Sequence, residues 1–217
     1  MKMYDIRFCE NFKLFACGPS RCGKTCFIID IIQNLDAITI SSPNKVIYVY
    51  KVWQQKFDEL QESGLVNYFI QDQEHIVDLI KQKTNDDSAL IIFDDLINSP
   101  NLQEISNLFV VDGRHSNLSL IFLSQRMFVN NESFRQISNN CDYLAVFKNP
   151  RNSSEVRVLA QQLTPGSLEF IDIYKQATRE PFSYLLVNLT QECQEHVKFL
   201  SHIFDYDHHV KCYLKDE

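Results

Sequence analysis

A chain of 217 residues, 45% of them hydrophobic, is long enough to bury one sizeable core, and we expect a single domain. The formal net charge of −7 argues against a generally cationic protein, but it does not exclude nucleic-acid binding, which depends on where the charges lie. No apolar run approaches the ~18 residues of a membrane-spanning helix, and residues 1–5 do not resemble a secretory signal, so we expect an intracellular protein.

The first predicted element is a short buried strand at residues 12–17, and a phosphate-binding motif follows it. Residues 18–25 read Gly-Pro-Ser-Arg-Cys-Gly-Lys-Thr, which fits the pattern G-x-x-x-x-G-K-[ST] in full. Residues 26–35 carry apolar side chains at helical intervals, so the motif lies between a strand and a helix, as a P-loop does. This context argues against a chance match.

The residue types of this motif suit the binding of a nucleotide and Mg²⁺. Glycines at positions 18 and 23 let successive backbone N–H groups converge on phosphates, and the following helix directs its positive end at the same anion. Lys24 would reach the outer phosphates, and the Thr25 hydroxyl would ligate Mg²⁺. The predicted nucleotide-binding residues are Gly18, Pro19, Ser20, Arg21, Cys22, Gly23, Lys24, Thr25 and Cys26.

Strands and helices alternate along the rest of the chain. This alternation indicates an α/β fold with a mostly parallel central sheet and helices on both faces, joined by right-handed crossovers. The predicted strands are residues 45–50, 66–70, 89–93, 118–123, 143–147 and 182–189, and the predicted helices are residues 53–62, 74–82, 102–109, 154–163 and 167–177.

The run at residues 89–93 is continuous and apolar, as a strand buried on both faces should be, and it ends in Asp94-Asp95. An acid at this point matches a Walker B segment. We therefore assign Asp94 to Mg²⁺, and we assign Asp95 to orienting and polarising the water that attacks the γ-phosphate. A plain Asp-Asp turn after a core strand is the competing interpretation, and the upstream P-loop favours the catalytic one.

Gln125 follows the next buried strand. Ligands of parallel sheets bind outside the carboxyl ends of the strands, which places this side chain beside the predicted nucleotide. An amide there can hydrogen-bond both the γ-phosphate and the attacking water, and can thereby sense hydrolysis. A surface glutamine after a strand is the alternative interpretation.

The motifs, taken in order, resemble those of a known family. They are G-P-S-R-C-G-K-T, I-I-F-D-D-L at residues 91–96, G-R-H at 113–115 and L-S-Q-R at 123–126. This series looks like the FtsK/HerA-type genome-packaging ATPases of double-stranded DNA viruses. In particular, it resembles the small ATPases of poxvirus-like viruses, virophages and Polinton/adintovirus-type elements. The resemblance covers about residues 12–163 and leaves the last fifty or so residues unmatched.

The resemblance implies an additional-strand P-loop ATPase, in which the strand ending at Gln125 lies between the P-loop strand and the Walker B strand. It also implies a homo-oligomeric ring, pentameric or hexameric, that uses ATP and Mg²⁺ to push duplex DNA into a preformed capsid. Ring motors usually complete each active site with an arginine from a neighbouring subunit, which stabilises charge on the transferring phosphoryl group. Arg114 is our first candidate for this arginine, and Arg126 is our second. Arg21, within the P-loop, could instead act in its own subunit. Many FtsK/HerA-type ATPases carry Glu where this chain has Asp95, so the chain departs from the family pattern at the catalytic position.

Two other functions stay open on the sequence alone. A P-loop small-molecule kinase would need an arginine-rich lid over a second substrate, and a capsid-associated scaffold would hold ATP without turnover. For a packaging motor we expect backbone-directed DNA contacts, with residues 126–135 and 151–153 as candidate segments, and a capsid vertex or procapsid protein as partner. Such a protein would act in a cytoplasmic virus factory or the nucleus, or be carried in the virion, without membrane insertion.

The C-terminal stretch contains two short clusters of cysteine and histidine. Cys193, His196, His208, His209 and Cys212 have spacings compatible with a tetrahedral zinc site, but unrelated members of a terminal helix and tail are the favoured interpretation. The seven cysteines do not resemble a secreted disulfide framework, so we expect reduced thiols. We assign residues 1–190 to the P-loop ATPase domain and residues 191–217 to a C-terminal helix and tail of the same domain.

Overall fold

A nine-stranded sheet forms the centre of the fold in a computed structural model, which describes residues 5–85, 87–110, 117–151, 153–164, 169–204 and 210–213. The strands are β1 (Lys13–Cys17), β2 (Lys45–Tyr50), β3 (Tyr68–Gln71), β4 (Ala89–Asp94), β5 (Leu118–Ser124), β6 (Tyr143–Phe147), β7 (Tyr184–Asn188), β8 (Phe199–Ser201) and β9 (Lys211–Cys212). The helices are α1 (Lys24–Gln33), α2 (Leu35–Ile38), α3 (Lys56–Ser63), α4 (Ile76–Thr84), α5 (Leu102–Val110), α6 (Glu132–Asn139), α7 (Ser153–Leu163) and α8 (Glu169–Ala177).

The strand order is β3-β2-β4-β5-β1-β6-β7-β8-β9. The strands from β3 to β6 in this order pair in parallel, and β7, β8 and β9 extend the sheet with antiparallel pairings. The predicted mostly parallel α/β fold is confirmed. Strand β5 lies between β1 and β4, as the resemblance to additional-strand ATPases implied.

Both faces of the sheet are buried under helices, which explains the uninterrupted apolar character of the central strands. Along β4, Ile91 and Phe93 belong to the core on the side of α4 to α8, whereas Leu90 and Ile92 belong to the core on the side of α1 to α3. Successive side chains of a strand point to opposite faces, so a strand covered on both sides needs an apolar residue at every position.

Helix α3 begins at Lys56, three residues after the predicted start, because tertiary contacts hold the preceding residues in a loop. The indole of Trp53 donates a hydrogen bond to Asp58 at 2.8 Å, and the Gln54 amide reaches across to Asp94 at 3.3 Å. Helix α6 was not predicted. Its start has a local signal, since the Asn131 side chain accepts a hydrogen bond from the Phe134 N–H at 3.0 Å and so caps the helix.

The helix expected within residues 191–217 is not found in the described part of that segment. A 3₁₀ turn (Glu195–Val197) and the strands β8 and β9 are present instead. Phe199 and Leu200 pack into the two cores on opposite faces of the sheet, which is the alternation of a strand and not the period of a helix. Among the described residues, no helix is long and apolar enough to cross a membrane.

Candidate active site

The carboxyl edge of the sheet brings the three predicted motifs together. Residue Cys17 of β1 lies opposite Ser124 of β5, and Asp94 of β4 lies opposite Leu123. Two backbone hydrogen bonds continue the pairing beyond the strands, from Gly18 N–H to the Ser124 carbonyl and from Asp95 N–H to the Leu123 carbonyl, both at 3.2 Å. The P-loop, the sensor position and the acidic pair therefore begin side by side.

The P-loop closes tightly at its first glycine. A Cβ added at Gly18 would lie 2.6 Å from the Cβ of Phe147 and 2.7 Å from the Sγ of Cys22, so only glycine fits there. Further along, Arg21 has φ of 63° and Gly23 has φ of 105°, and helix α1 begins directly after them. These left-handed conformations let the backbone N–H groups turn toward one point, as an anion-binding loop requires.

The Lys24 ammonium lies across its own loop. It donates hydrogen bonds to the carbonyls of Gly18 at 2.5 Å and Pro19 at 3.0 Å, and it lies 3.8 Å from the Sγ of Cys22. Cys22 is buried, and burial raises the pKa of its thiol, so this side chain packs inside the loop as an uncharged group. The Lys24 cation is positioned where the phosphates of a nucleotide would offer stronger, charged acceptors.

The remaining P-loop positions differ in exposure. Ser20 and Arg21 are exposed, and Thr25 is half-buried in the first turn of α1. Cys26 is exposed, and the Nζ of Lys56 lies 2.9 Å from its Sγ. All nine predicted nucleotide-binding residues thus belong to one loop and the first turn of one helix, and of these Ser20, Arg21 and Cys26 are exposed.

A line of two hydrogen bonds joins the loop to the acidic pair. The Ser20 hydroxyl donates to Gln125 Oε1 at 3.1 Å, and Gln125 Nε2 donates to Asp95 Oδ2 at 2.7 Å. Gln125 is exposed and Asp95 half-exposed, so this line faces the solvent in front of the P-loop. Asp95 has φ of 57°, a conformation that few residues other than glycine, asparagine and aspartate adopt. The predicted sensor and the predicted water-orienting acid are in direct contact.

Asp94 is the buried member of the acidic pair, with 8% of its surface exposed. Its Oδ2 accepts hydrogen bonds from the Tyr48 hydroxyl at 3.0 Å and the Gln54 amide at 3.3 Å. Burial raises the pKa of the Asp94 carboxyl, whereas the Tyr48 hydrogen bond and the Lys24 charge oppose that rise. Both of these hydrogen bonds reach Oδ2 of the carboxylate.

The donor set fits Mg²⁺. Thr25, in the first turn of α1, and Asp94, at the carboxyl end of β4, would supply hard oxygen ligands, and Mg²⁺ usually takes its other ligands from phosphates and water. Within the described part of the chain, no group of three or more His, Cys, Asp or Glu side chains could hold a metal ion. Of the zinc candidates, Cys193, His196 and Cys212 lie in that part, whereas His208 and His209 lie outside the described residues.

Tyr48 and Gln54 are site residues that the sequence reasoning missed. Tyr48 carried a usable signal, because a tyrosine in a strand buried on both faces needs a partner for its hydroxyl. Gln54 carried no such signal, because residues 53–62 were interpreted as a helix.

Two arginines were predicted to act on a neighbouring subunit's nucleotide. Arg114, the first candidate, lies outside the described residues. Arg126, the second, is exposed directly after Gln125, and its charge lowers the pKa of the Glu155 carboxyl, although burial of that carboxyl raises the pKa overall.

The family model of the poxvirus A32 protein matches residues 4–179. The chain belongs to the poxvirus A32 protein family. This match confirms the resemblance to the ATPases of poxvirus-like viruses that the motifs had indicated. No curated protein sequence matches this A32-family chain.

Solved structures share the fold of this A32-family chain. The genome packaging NTPase B204 from Sulfolobus turreted icosahedral virus 2, in complex with ATP-gammaS, aligns with a TM-score of 0.59 and 15% identity over 84% of this chain and 95% of its own. The type VII secretion ATPase EccC from Thermomonospora curvata aligns with a TM-score of 0.55 and 14% identity over 85% of this chain and 25% of its own. The cytoplasmic domain of EssC aligns with a TM-score of 0.52 and 12% identity over 94% of this chain and 40% of its own. At these identities the likeness concerns the fold alone.

Proposed function

We propose that this protein is an ATPase that packages a viral or virus-like genome by driving double-stranded DNA through an oligomeric ring. The observation that carries the proposal is the line from Ser20 through Gln125 to Asp95. Nucleotide binding alone needs no such line, whereas hydrolysis needs groups beside the γ-phosphate that position a water. Membership of the A32 family and the fold shared with packaging NTPase B204 support the same function.

Nucleotide binding would use the P-loop as it stands. The loop N–H groups and the start of α1 would hold the phosphates. The Lys24 ammonium would exchange the carbonyls of Gly18 and Pro19 for an outer phosphate oxygen, because a hydrogen bond between two charged groups is stronger than one to a neutral carbonyl. Thr25 and Asp94 would hold Mg²⁺, which when bound neutralises charge on the phosphate oxygens.

Hydrolysis would use the two residues beyond the loop. The Asp95 carboxylate would accept a hydrogen bond from the attacking water and polarise it, and the Gln125 amide would orient that water against the γ-phosphate. The two hydrogen bonds to Ser20 and Asp95 use one lone pair of Gln125 Oε1 and one N–H of Nε2, so the amide has a second N–H and a second lone pair for the water and the γ-phosphate. Arg114 of an adjacent copy, or Arg126 in its place, would stabilise charge on the transferring phosphoryl group, a contribution of about 10³-fold or more.

DNA would be held by its backbone, because a packaging motor must move along any sequence. Residues 126–135 and 151–153 are the proposed contact segments; Arg126 and Arg135 within the first of them are exposed. A capsid vertex or procapsid protein is the proposed second partner. We keep residues 1–190 as the proposed ATPase domain, with residues 191–217 as part of the same unit, and propose that the protein works inside the host cell.

The deciding experiment measures phosphate release by the purified protein with and without duplex DNA, alongside the mass of the assembled species. We expect duplex DNA to raise turnover several-fold, an effect that weakens as salt increases because the contacts are to phosphates. The mass should correspond to five or six subunits. Transfer of phosphate to a small acceptor would instead identify a kinase, and tight ATP binding without turnover would identify a scaffold.

Replacing Tyr48 by phenylalanine should shift the acid limb of the Mg²⁺-dependent turnover to higher pH. The Tyr48 hydroxyl opposes the burial that raises the pKa of Asp94, so removing it raises that pKa further. Mg²⁺ needs the ionised carboxylate, and activity is lost as pH falls through the pKa. On the acid limb we expect roughly threefold to tenfold lower turnover, the worth of about one hydrogen bond.

A pH–rate profile at fixed free Mg²⁺ measures this shift. Tyr143→Phe is a matched control, because the Tyr143 hydroxyl is also largely buried but accepts a hydrogen bond from the Cys9 N–H, at the opposite edge of the sheet. Equal profiles for Tyr48→Phe and the unmodified protein, or the same shift in the control, would contradict the role given to Tyr48.

A further inference from the structure

Phe182 lies at the same edge of the sheet as the P-loop. Strand β7 runs antiparallel to β6, and its first residue, Tyr184, lies opposite Phe147, the last residue of β6. The turn that precedes β7 is therefore at the carboxyl edge of the parallel strands. Phe147 is also the residue against which Gly18 closes. The pairing thus places Phe182 next to the nucleotide loop although 158 or more residues of sequence separate them.

The backbone of Phe182 is seated directly on the second glycine of the loop. A Cβ added at Gly23 would lie 3.2 Å from both the Cβ and the carbonyl oxygen of Phe182. At Gly18, the other glycine of the loop, the nearest atoms belong to Phe147 and Cys22 instead. Gly23 thus serves two purposes: it adopts a left-handed conformation, and it makes room for Phe182.

The Phe182 ring is held out into solvent by a strained backbone. Phe182 has φ of 63°, a conformation rarely adopted by bulky residues, and 68% of its surface is exposed. Hydrogen bonds fix the turn on both sides: Lys148 N–H donates to the Ser183 carbonyl at 3.3 Å, and the Ser183 hydroxyl donates to the Glu180 carbonyl at 2.6 Å. Backbone strain of this kind persists where the surroundings enforce it, commonly at ligand sites.

We propose that Phe182 is the platform on which the base of the bound nucleotide stacks. This proposal rests on the proposed nucleotide site and adds its base-binding part. The loop N–H groups and Lys24 account for the phosphates. Phe182 packs on this loop through its backbone and Cβ, and its exposed, uncharged ring offers a flat apolar surface, which suits the face of a base. Stacking does not depend on the hydrogen-bonding groups at the edge of the base. The site therefore accepts different purines, and ATP and GTP bind with similar affinity.

The test compares two ligands on the full-length protein with Mg²⁺: ATP, and inorganic triphosphate, which has no base. In Phe182→Ala the dissociation constant for ATP should rise about tenfold or more, as loss of one stacked base predicts, while that for triphosphate stays unchanged. Phe182→Tyr retains the ring and should bind ATP as the unmodified protein does. Phe182→Leu retains apolar bulk without the aromatic face and should resemble the alanine variant.

Three results would overturn the proposal. Equal weakening of both ligands would show that Phe182 only supports Gly23. Unchanged ATP affinity, with or without a change in the mass of the assembly, would show that the ring serves another contact. If the unmodified protein binds ATP no more tightly than triphosphate, the base makes no favourable contact with the protein. The proposed function fails separately: tight, Phe182-dependent ATP binding without any turnover contradicts the ATPase and leaves the stacking intact.

Discussion

Replacing Asp95 by asparagine should reduce ATP turnover by about 10²-fold to 10⁴-fold, the usual contribution of a group that polarises the reacting water, while ATP affinity stays close to that of the unmodified protein. Asparagine keeps the size of the side chain, and its amide oxygen can still accept the hydrogen bond from Gln125. It also tolerates the left-handed conformation at position 95. The fold and the binding loop are therefore preserved, and only the charge that acts on the water is lost.

Single-turnover rates and equilibrium ATP binding measured on the same preparation separate these two effects. Asp58→Asn is a suitable control, because that carboxylate is exposed on α3 and bonds the Trp53 indole instead of a site residue. Full turnover in Asp95→Asn would remove Asp95 from the mechanism. An equal loss of ATP binding would assign it to the nucleotide instead of the water.

The conformation of Asp95 also bears on the departure from the glutamate that many relatives carry. Aspartate and asparagine adopt left-handed backbone angles more readily than glutamate does, because their short polar side chains can bond locally. At φ of 57° the shorter acid is the better fit to this backbone. The same bond from Gln125 holds it in line with the P-loop.

Replacing Gly18 by alanine should weaken nucleotide binding by about tenfold to 100-fold. The added methyl group would lie 2.6 Å from the Cβ of Phe147, which belongs to a central strand and cannot retreat, and 2.7 Å from the Sγ of Cys22. Relief requires the loop to open and the Lys24 ammonium to lose the Gly18 carbonyl. Overpacking of this kind usually costs ~1–3 kcal/mol of stability, and here it falls on the loop that must hold the phosphates.

Gly64→Ala is the matched control for this prediction. Gly64 also has a left-handed conformation, with φ of 68°, but a Cβ added there meets nothing within 4 Å. We expect Gly64→Ala to cost about 1 kcal/mol of stability through backbone strain, with nucleotide affinity unchanged. Calorimetric ATP binding and thermal unfolding of both variants make the comparison. Normal ATP affinity in Gly18→Ala would contradict the close packing described for the loop.

The sheet and the three motifs were predictable because they depend on local patterns. An apolar run followed by Gly-rich or acidic residues marks a parallel strand and its carboxyl end, and the carboxyl ends of such strands meet at one edge. Residues 18–25, Asp94 and Gln125 could therefore be placed near one another before the fold was known. The position of β5 between β1 and β4 was implied by the family resemblance and not by the pattern.

The contacts that complete the site were not predictable from the same patterns. Tyr48, Gln54 and Phe182 reach it from strands and turns that are distant in sequence, and their roles depend on register and on backbone angles. Gln54 lies in a segment that was predicted as helix, and its contact with Asp94 comes from the loop that precedes α3 in the structure. Phe182 could contact Gly23 only because β7 is antiparallel to its neighbour, which no residue pattern in the strand distinguishes from a parallel one.

The placement of β5 limits how a change at the γ-phosphate can travel. This strand is fully buried and paired along both sides, so it cannot shift without breaking two ladders of hydrogen bonds. The Ser124 hydroxyl fixes the turn that follows by donating to the Arg126 carbonyl at 2.7 Å and accepting from the Arg126 N–H at 3.1 Å. Under the proposed function, a displacement that begins at Gln125 would therefore leave β5 in place and fall on residues 127–131, the short segment between Arg126 and α6.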